Sequence, residues 1–289
     1  MNRRLSPLVV CSWLIILGLI ATALLASYVA PHNPVRERLI DRLLPPAWVE
    51  DGEWRYVLGT DHLGRDLVSR ILYGSRVSLV VGFAAVTIGG TLGITLGVAA
   101  GFLGGRVDEI IMAVGDMQLA FPTILLAIAI IAVLGPSFIN LVIVIGISGW
   151  VTYARIARGQ VLSLREQEFV EAIRALGGGP WRIVWGHILP NILSPLIVVA
   201  TLDLARTIIL ESTLSFLGLG IQPPTPSWGG MLSDGREYLL SAWWIATFPG
   251  VALMLTALSF NRLGDWLRDL SDPRLQHFSG QSAAQHTSP

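Results

Sequence analysis

The sequence predicts an all-α, polytopic membrane protein with six transmembrane helices. Hydrophobic residues make up 53% of the 289 residues and charged residues only 14%, whereas ordinary soluble domains carry roughly 25% charged residues. The apolar residues also fall in blocks of about 20, the length that a helix needs to cross about 30 Å of hydrocarbon. Helices are the expected spanning elements because backbone polar groups in lipid must be satisfied within their own segment.

Six apolar segments divide the chain. They cover residues 8–30, 77–103, 110–134, 139–157, 192–210 and 241–260. The third segment contains Pro122, which predicts a kink. The domains that we expect are an N-terminal transmembrane helix in 1–30, an external loop with an interfacial helix in 31–76, a membrane core in 77–265, and a polar C-terminal tail in 266–289.

Two compositional features exclude functions. The one cysteine, Cys11, lies inside the first apolar segment, so the chain forms no internal disulfide and no thiolate metal cluster. All 20 basic residues are arginine, whereas the phosphate-binding loop of nucleotide hydrolases requires a lysine. The histidines form no recognisable nucleophile motif with serine or cysteine. We expect a chain that is not an enzyme and that holds no metal or cofactor.

Arginine placement favours a cytoplasmic N-terminus. With that orientation, the arginines on the cytoplasmic side are Arg3, Arg4, Arg106, Arg155, Arg158, Arg165, Arg174, Arg182, Arg262, Arg268 and Arg274. The later outer loops carry only Arg236. The first outer loop holds seven arginines between Pro31 and Arg76, which weakens the preference.

The second apolar segment carries glycines at intervals of four, which places them on one helical face. Such a face lets another backbone approach closely. Its partner is either a helix of this chain or a second subunit, and the sequence leaves both open. The residues are Gly89, Gly93, Gly97, Gly101 and Gly105.

Ionisable residues within or at the end of apolar segments are costly, at about 2.5 to 3.5 kcal/mol each at mid-bilayer on insertion scales. Asp116 lies in the third segment, and Glu211 closes the fifth. Asp203 and Arg206 lie one helical turn apart and can neutralise each other. They form either a structural pair or part of a polar path for a solute.

The first outer loop contains Asp61, His62 and Asp66, which together suggest a metal site. No further ligand is suitably spaced, so we interpret these residues as caps and ion pairs around the interfacial helix.

A polar segment at 165–191 separates the fourth and fifth apolar segments. Its residues before Leu176 contain no helix breaker, Gly177 to Gly179 allow a sharp turn, and Pro180 suits the first turn of a new helix. The sequence predicts a stiff helix–turn–helix bracket at the membrane surface.

This bracket resembles the EAA loop of bacterial ABC importer permeases. The shared features are Glu171, Ala172 and Ile173, then Gly177, and then Ile188, Leu189 and Pro190. Further stretches are similar to the C-type subunit of the dipeptide, oligopeptide and nickel permeases. They are Gly59 to Asp61 with Gly64 to Asp66 and Ser69-Arg70, Leu214 to Gly220 with Pro223 to Trp228, and Leu263 to Asp265 with Leu267 to Asp269 and Asp272 to Arg274.

The resemblance implies a type I ABC importer permease core in 77–265 and a bacterial cytoplasmic, or inner, membrane location with both termini in the cytoplasm. The loop at 165–191 would bind the ATPase through Glu171, Ala172, Ala175, Leu176 and Gly177. Where the family has a second alanine, this chain has Ile173, a bulkier residue that could alter the fit to the ATPase.

The resemblance also implies partners. They are a B-type permease that completes a heterodimeric pore, two cytoplasmic ATPases that hold ATP and Mg²⁺, and an external solute-binding protein. The chain contacts the lipid bilayer, and we expect no nucleic-acid partner.

The cargo and two other function classes stay open. Peptides are the first expectation by family frequency, with nickel chelates, opines or other small peptide-like solutes as alternatives. An ion-coupled secondary transporter would use Asp116, Asp203 or Glu211 and need no partner. A membrane scaffold would leave solute uptake unchanged when deleted.

Overall fold

The computed structural model describes residues 6–271, and within this range the chain is helical without a β-strand. Its α-helices are α1 Pro7–Val29, α2 Leu67–Leu103, α3 Gly105–Leu119, α4 Thr123–Leu134, α5 Phe138–Arg165, α6 Glu168–Ala175, α7 Pro180–Ile183, α8 Leu189–Phe216, α9 Trp228–Gly235 and α10 Trp244–Ser271. A π-helical turn, Val184–Ile188, joins α7 to α8, and short 3₁₀ turns lie at Leu39–Asp41 and Arg236–Tyr238.

Five helical segments are long and apolar enough to cross a membrane, and α3 with α4 makes six if the bent pair counts as one span. The all-α prediction is therefore confirmed, and the number of spans equals the predicted six when the bent pair is counted as one span. The third span is broken, because α3 and α4 meet at an angle of 88°. The break lies where Pro122 precedes Thr123 and cannot donate a backbone hydrogen bond, in agreement with the predicted kink.

Several boundaries differ from the prediction. The interfacial helix predicted in 31–76 is the first part of α2, which runs without a break for 37 residues from its cap at Asp66. The tail predicted from 266 begins later, because α10 continues to Ser271. Arg3, Arg4, Arg274 and the remainder of the tail lie outside the described residues.

The centre of the bundle is the pair α2 and α5, which run parallel and make the most extensive helix contact. Carbonyl oxygens of α5 face the glycines of α2 in matching steps of four residues. A Cβ on Gly89 would lie 2.7 Å from the Gly146 oxygen, and one on Gly101 would lie 3.0 Å from the Arg158 oxygen. The glycine face therefore packs within this chain.

Gly105 is not part of this face, contrary to the spacing argument. Gly104 and Gly105 both have positive φ, at 67° and 54°, so α2 ends there and α3 starts in a new direction. A Cβ on Gly105 would meet no atom within 4 Å. A left-handed backbone stops the helical periodicity on which the prediction relied.

The remaining helices surround this pair. Helix α8 packs on α2 and α10, and α1 packs on α2 and α10 at the side. Large apolar side chains of α1 point outward, including Leu14 and Leu24. The chain thus presents an apolar surface suited to lipid or to another membrane subunit.

Candidate coupling loop and intramembrane polar site

The segment from α6 to the start of α8 forms the predicted bracket. Helix α6 starts three residues after the end of α5, so its base is tied to the bundle. The Arg165 guanidinium also donates to the Gly101 carbonyl of α2 at 2.9 Å. The bracket is therefore anchored to the two central helices.

Helix α6 ends in a Schellman turn. The Gly178 N–H donates to the Ile173 carbonyl at 2.8 Å, and the Gly177 N–H donates to the Arg174 carbonyl at 2.9 Å. Gly177 has φ +80°, a conformation that L side chains rarely adopt. The glycine positions in the sequence thus correspond to a defined turn geometry.

The bracket has one buried face and one exposed face. Val170, Ile183 and Ile188 are buried against α5 and α8. The residues predicted to bind an ATPase all lie on the exposed side, namely Glu171, Ala172, Ala175, Leu176 and Gly177. Leu176, at the end of α6, is 89% exposed.

Ile173 does not point outward. It is half-buried, packs against the same apolar cluster, and lies close to Gly178. Its bulk therefore fills the space inside the bracket. Its effect on the fit to an ATPase stays a prediction.

The intramembrane charged residues fall in separate places. Asp116 of α3 pairs with Arg155 of α5, and the neighbouring Asp108 pairs with Arg158. Glu211 is fully buried and accepts hydrogen bonds from Ser78, Ser212 and Ser215. Glu211 therefore lies in the helix packing, and Asp116 forms an exposed ion pair between α3 and α5.

Asp203 and Arg206 do not form an ion pair within 4.0 Å in the described chain, although they lie one turn apart on α8. Asp203 instead accepts a hydrogen bond of 3.0 Å from the Tyr153 hydroxyl. Both Asp203 and Arg206 line a pocket between α5, α8 and the break of the third span.

Sequence reasoning missed the partners on α5. Tyr153 holds Asp203, and Ser148 and Thr152 line the same pocket. The sequence feature that could have identified the two hydroxyls is the four-residue spacing of Ser148 and Thr152 within an apolar segment, which puts them on one helical face.

At the other end of the bundle, residues 30–66 fold over the start of α2. Asp66 caps α2 by accepting from the Ser69 N–H at 2.9 Å, which confirms the predicted capping role. Tyr56 donates to Asp41 at 2.7 Å, and burial together with this carboxylate raises the pKa of the Tyr56 phenol.

The Asp61 carboxylate lies 2.6 Å from the Arg65 guanidinium and 3.4 Å from the Arg70 guanidinium. Asp234 of α9 contacts the same two guanidinium groups. His62 comes close to both carboxylates and stacks on Tyr238. The arginines neutralise the two acids here, so the cluster functions as an ion-pair network that joins the loop to α9. Asp66 is not part of this group.

Comparison with known proteins gives the same architecture. A family model described as binding-protein-dependent transport system inner membrane component matches residues 93–277. Two chains from inward-facing structures of the MetNI methionine ABC transporter match 71% of this chain and 96% of their own length, with 20% identity and TM-scores of 0.53 and 0.55. The fold is thus that of a type I ABC importer permease.

Curated relatives align along almost the whole chain. The di/tripeptide transport system permease protein DppC of Pseudomonas aeruginosa is 44% identical over 91% of this chain and 87% of its own length. The probable D,D-dipeptide transport system permease protein DdpC of Escherichia coli is 44% identical over 93% and 88%. The glutathione transport system permease protein GsiD of Pectobacterium atrosepticum is 42% identical over 92% and 87%. This chain belongs to the binding-protein-dependent transport system inner membrane components, as a C-type permease of the dipeptide, oligopeptide and nickel group.

Proposed function

We propose that this chain is the C-type half of a heterodimeric pore through which an ATP-driven importer moves di- or oligopeptides. A B-type permease completes the pore, two cytoplasmic ATPases supply ATP hydrolysis with Mg²⁺, and an external binding protein delivers the solute. The relatives that carry dipeptides, D,D-dipeptides and glutathione support a peptide-like cargo.

One observation carries the coupling role. Helix α6 exposes Glu171, Ala172, Ala175 and Leu176 while its other face is packed against α5 and α8. A short helix held at both ends moves with the bundle as a rigid body, so a subunit that binds its exposed face can drive the spans. The chain contains no lysine and so lacks the lysine-containing phosphate-binding loop of nucleotide hydrolases. An ATP-driven importer therefore needs another subunit to hydrolyse ATP.

The same proposal orients the chain. The end of the bundle that holds α6 faces the cytoplasm, and the end that holds residues 30–66 and α9 faces outward. Both termini are then cytoplasmic in a chain with six spans. The expected domains follow as an N-terminal helix, an external loop, the permease core and a cytoplasmic tail.

The orientation and the ATPase contact can be tested together with single cysteines. Cys11→Ser removes the one native cysteine. In that background, Leu176→Cys should cross-link to an ATPase subunit and should react with an impermeant thiol reagent only from the cytoplasmic side. Trp54→Cys, which replaces a side chain that is 78% exposed at the opposite end, should do neither. Cross-linking of residue 54 in place of 176 would reject the proposal.

The cargo is tested by uptake into liposomes that contain the four membrane and ATPase subunits. ATP-dependent uptake of a labelled dipeptide from the binding protein is expected, and a nickel chelate offered in parallel should not compete. Preferential nickel uptake would assign the alternative cargo. Ion-driven uptake by the purified chain alone would instead show a secondary transporter and overturn the proposal.

A further inference from the structure

A small polar pocket lies within the membrane-spanning part of the bundle, near the middle of α8. It has a volume of about 60 Å³, enough for roughly four waters at about 15 Å³ each. Its walls combine one cation, one anion and hydroxyl groups. The polar residues that line it are Thr123, Ser148, Thr152, Asp203, Arg206 and Thr207.

Arg206 is the unusual member of this group. Its side chain is exposed at the surface of the chain, and no carboxylate of residues 6–271 lies within 4.0 Å of it. Asp203, one turn earlier on α8, is itself held by the Tyr153 hydroxyl at 3.0 Å. An arginine at mid-span costs about 2.5 to 3.5 kcal/mol on insertion scales unless it faces water or an anion.

The pocket opens beside the break of the third span. Leu119 at the end of α3 and Thr123 at the start of α4 both line it. The first turn of α4 has no side-chain cap, and the N–H groups of Thr123, Ile124 and Leu125 donate to no group in the described chain. Broken helices in membranes persist where their ends line a polar cavity, and a helix N-terminus attracts negative charge.

We propose that Arg206 is a specificity-determining residue of the translocation path that binds the C-terminal carboxylate of the transported peptide. This inference rests on the proposed function. A guanidinium group binds a carboxylate through two parallel hydrogen bonds, and the α4 N-terminus adds positive potential on the same side.

Asp203 explains how such a site can release its ligand. A permeating solute must bind strongly enough to enter and weakly enough to leave. The Asp203 carboxylate lies one helical turn from Arg206 and lowers the positive potential of the pocket.

The test compares two probes, alanyl-phenylalanine and its C-terminal amide, in the complete reconstituted transporter. Each is supplied as a saturated complex with the binding protein, so that uptake reports the membrane step. R206Q should lower uptake of the free dipeptide by about tenfold and leave uptake of the amide unchanged, because only the dipeptide loses a charge-assisted contact. R206K should fall between wild type and R206Q, since it keeps the charge and loses the planar fork.

R262Q serves as the matched control, because it neutralises an exposed arginine of α10 outside the pocket. It should leave the ratio of dipeptide to amide uptake at the wild-type value. Equal loss of both probes in R206Q would show that Arg206 stabilises the assembly, for example by pairing with the second permease, and would overturn the assignment. Wild-type uptake in R206Q would also overturn it. Failure of wild-type transporter to import either probe would reject the peptide function itself.

Discussion

Gly97 of α2 lies directly against the backbone of Ala154 in α5, with no room for a side chain between the two helices. A Cβ on Gly97 would lie 2.8 Å from the Ala154 Cα. The three nearest atoms that this Cβ would approach, the oxygen, Cα and carbonyl carbon of Ala154, all belong to backbone, so none can turn away as a side-chain end could.

Replacing Gly97 with leucine should therefore destabilise the bundle by about 1 to 3 kcal/mol through overpacking. Thermal unfolding of the purified chain in detergent measures the effect. Gly159→Leu is the control, because a Cβ at this exposed position of α5 meets no atom within 4 Å. Equal melting temperatures for the two variants would contradict the packing argument.

Charge reversal at Glu171 should uncouple transport while leaving the chain folded. Glu171 is exposed on α6 and makes no contact that holds the bundle together. We expect Glu171→Lys to lower ATP-dependent uptake by about tenfold, the equivalent of about 1.4 kcal/mol at the ATPase contact. Glu237→Lys reverses an exposed charge at the opposite end and should not change ATPase coupling. Undiminished uptake by Glu171→Lys would count against the coupling role of α6.

The turn after α6 should tolerate only residues that accept a left-handed backbone. Gly177 has φ +80°, so Gly177→Ala should cost about 1 kcal/mol, Gly177→Asn should cost less, and Gly177→Pro should abolish the turn. Uptake and melting temperature should follow this order. Gly179→Ala is the control, because Gly179 has φ −71° and an open Cβ position. The same loss in Gly179→Ala would argue that the backbone conformation is not the cause.

The buried ion-pair network of Asp61, Asp234, Arg65 and Arg70 should be far more sensitive to substitution than an exposed ion pair. Asp61→Asn leaves the buried Arg65 and Arg70 with only Asp234 as a counter-charge, and breaking such a pair costs about 3 to 5 kcal/mol. Glu166→Gln removes the exposed partner of Arg165 and should cost less than about 1 kcal/mol. Chemical denaturation of the two variants compares these values, and similar losses would contradict the assignment of the network as structural.

The hydrogen bond between Tyr153 and Asp203 should hold α5 and α8 in register. Tyr153→Phe removes the donor from a partly buried carboxylate and should destabilise the chain by about 1 to 3 kcal/mol. Tyr28→Phe, at a tyrosine that is 87% exposed, is the control for loss of a hydroxyl. An unchanged melting temperature for Tyr153→Phe would show that Asp203 is satisfied by other groups.

The amino-acid sequence by itself determined the class, the number of apolar spans and the form of the bracket, because each depends on local properties. Span length follows from apolar block length, and the turn at Gly177 follows from a glycine run followed by Pro180. The kink at Pro122 and the cap at Asp66 are local in the same sense. These features need no knowledge of distant contacts.

Only the tertiary structure decided which side chains meet across the bundle. It placed four glycines of α2 on α5, excluded Gly105, and gave Asp203 the distant partner Tyr153 instead of its neighbour Arg206. Such pairings depend on helix rotation and on the angle at which spans cross, and sequence spacing along a single helix contains neither. For the same reason the pocket beside the broken span became visible only once α3, α4, α5 and α8 had been assembled.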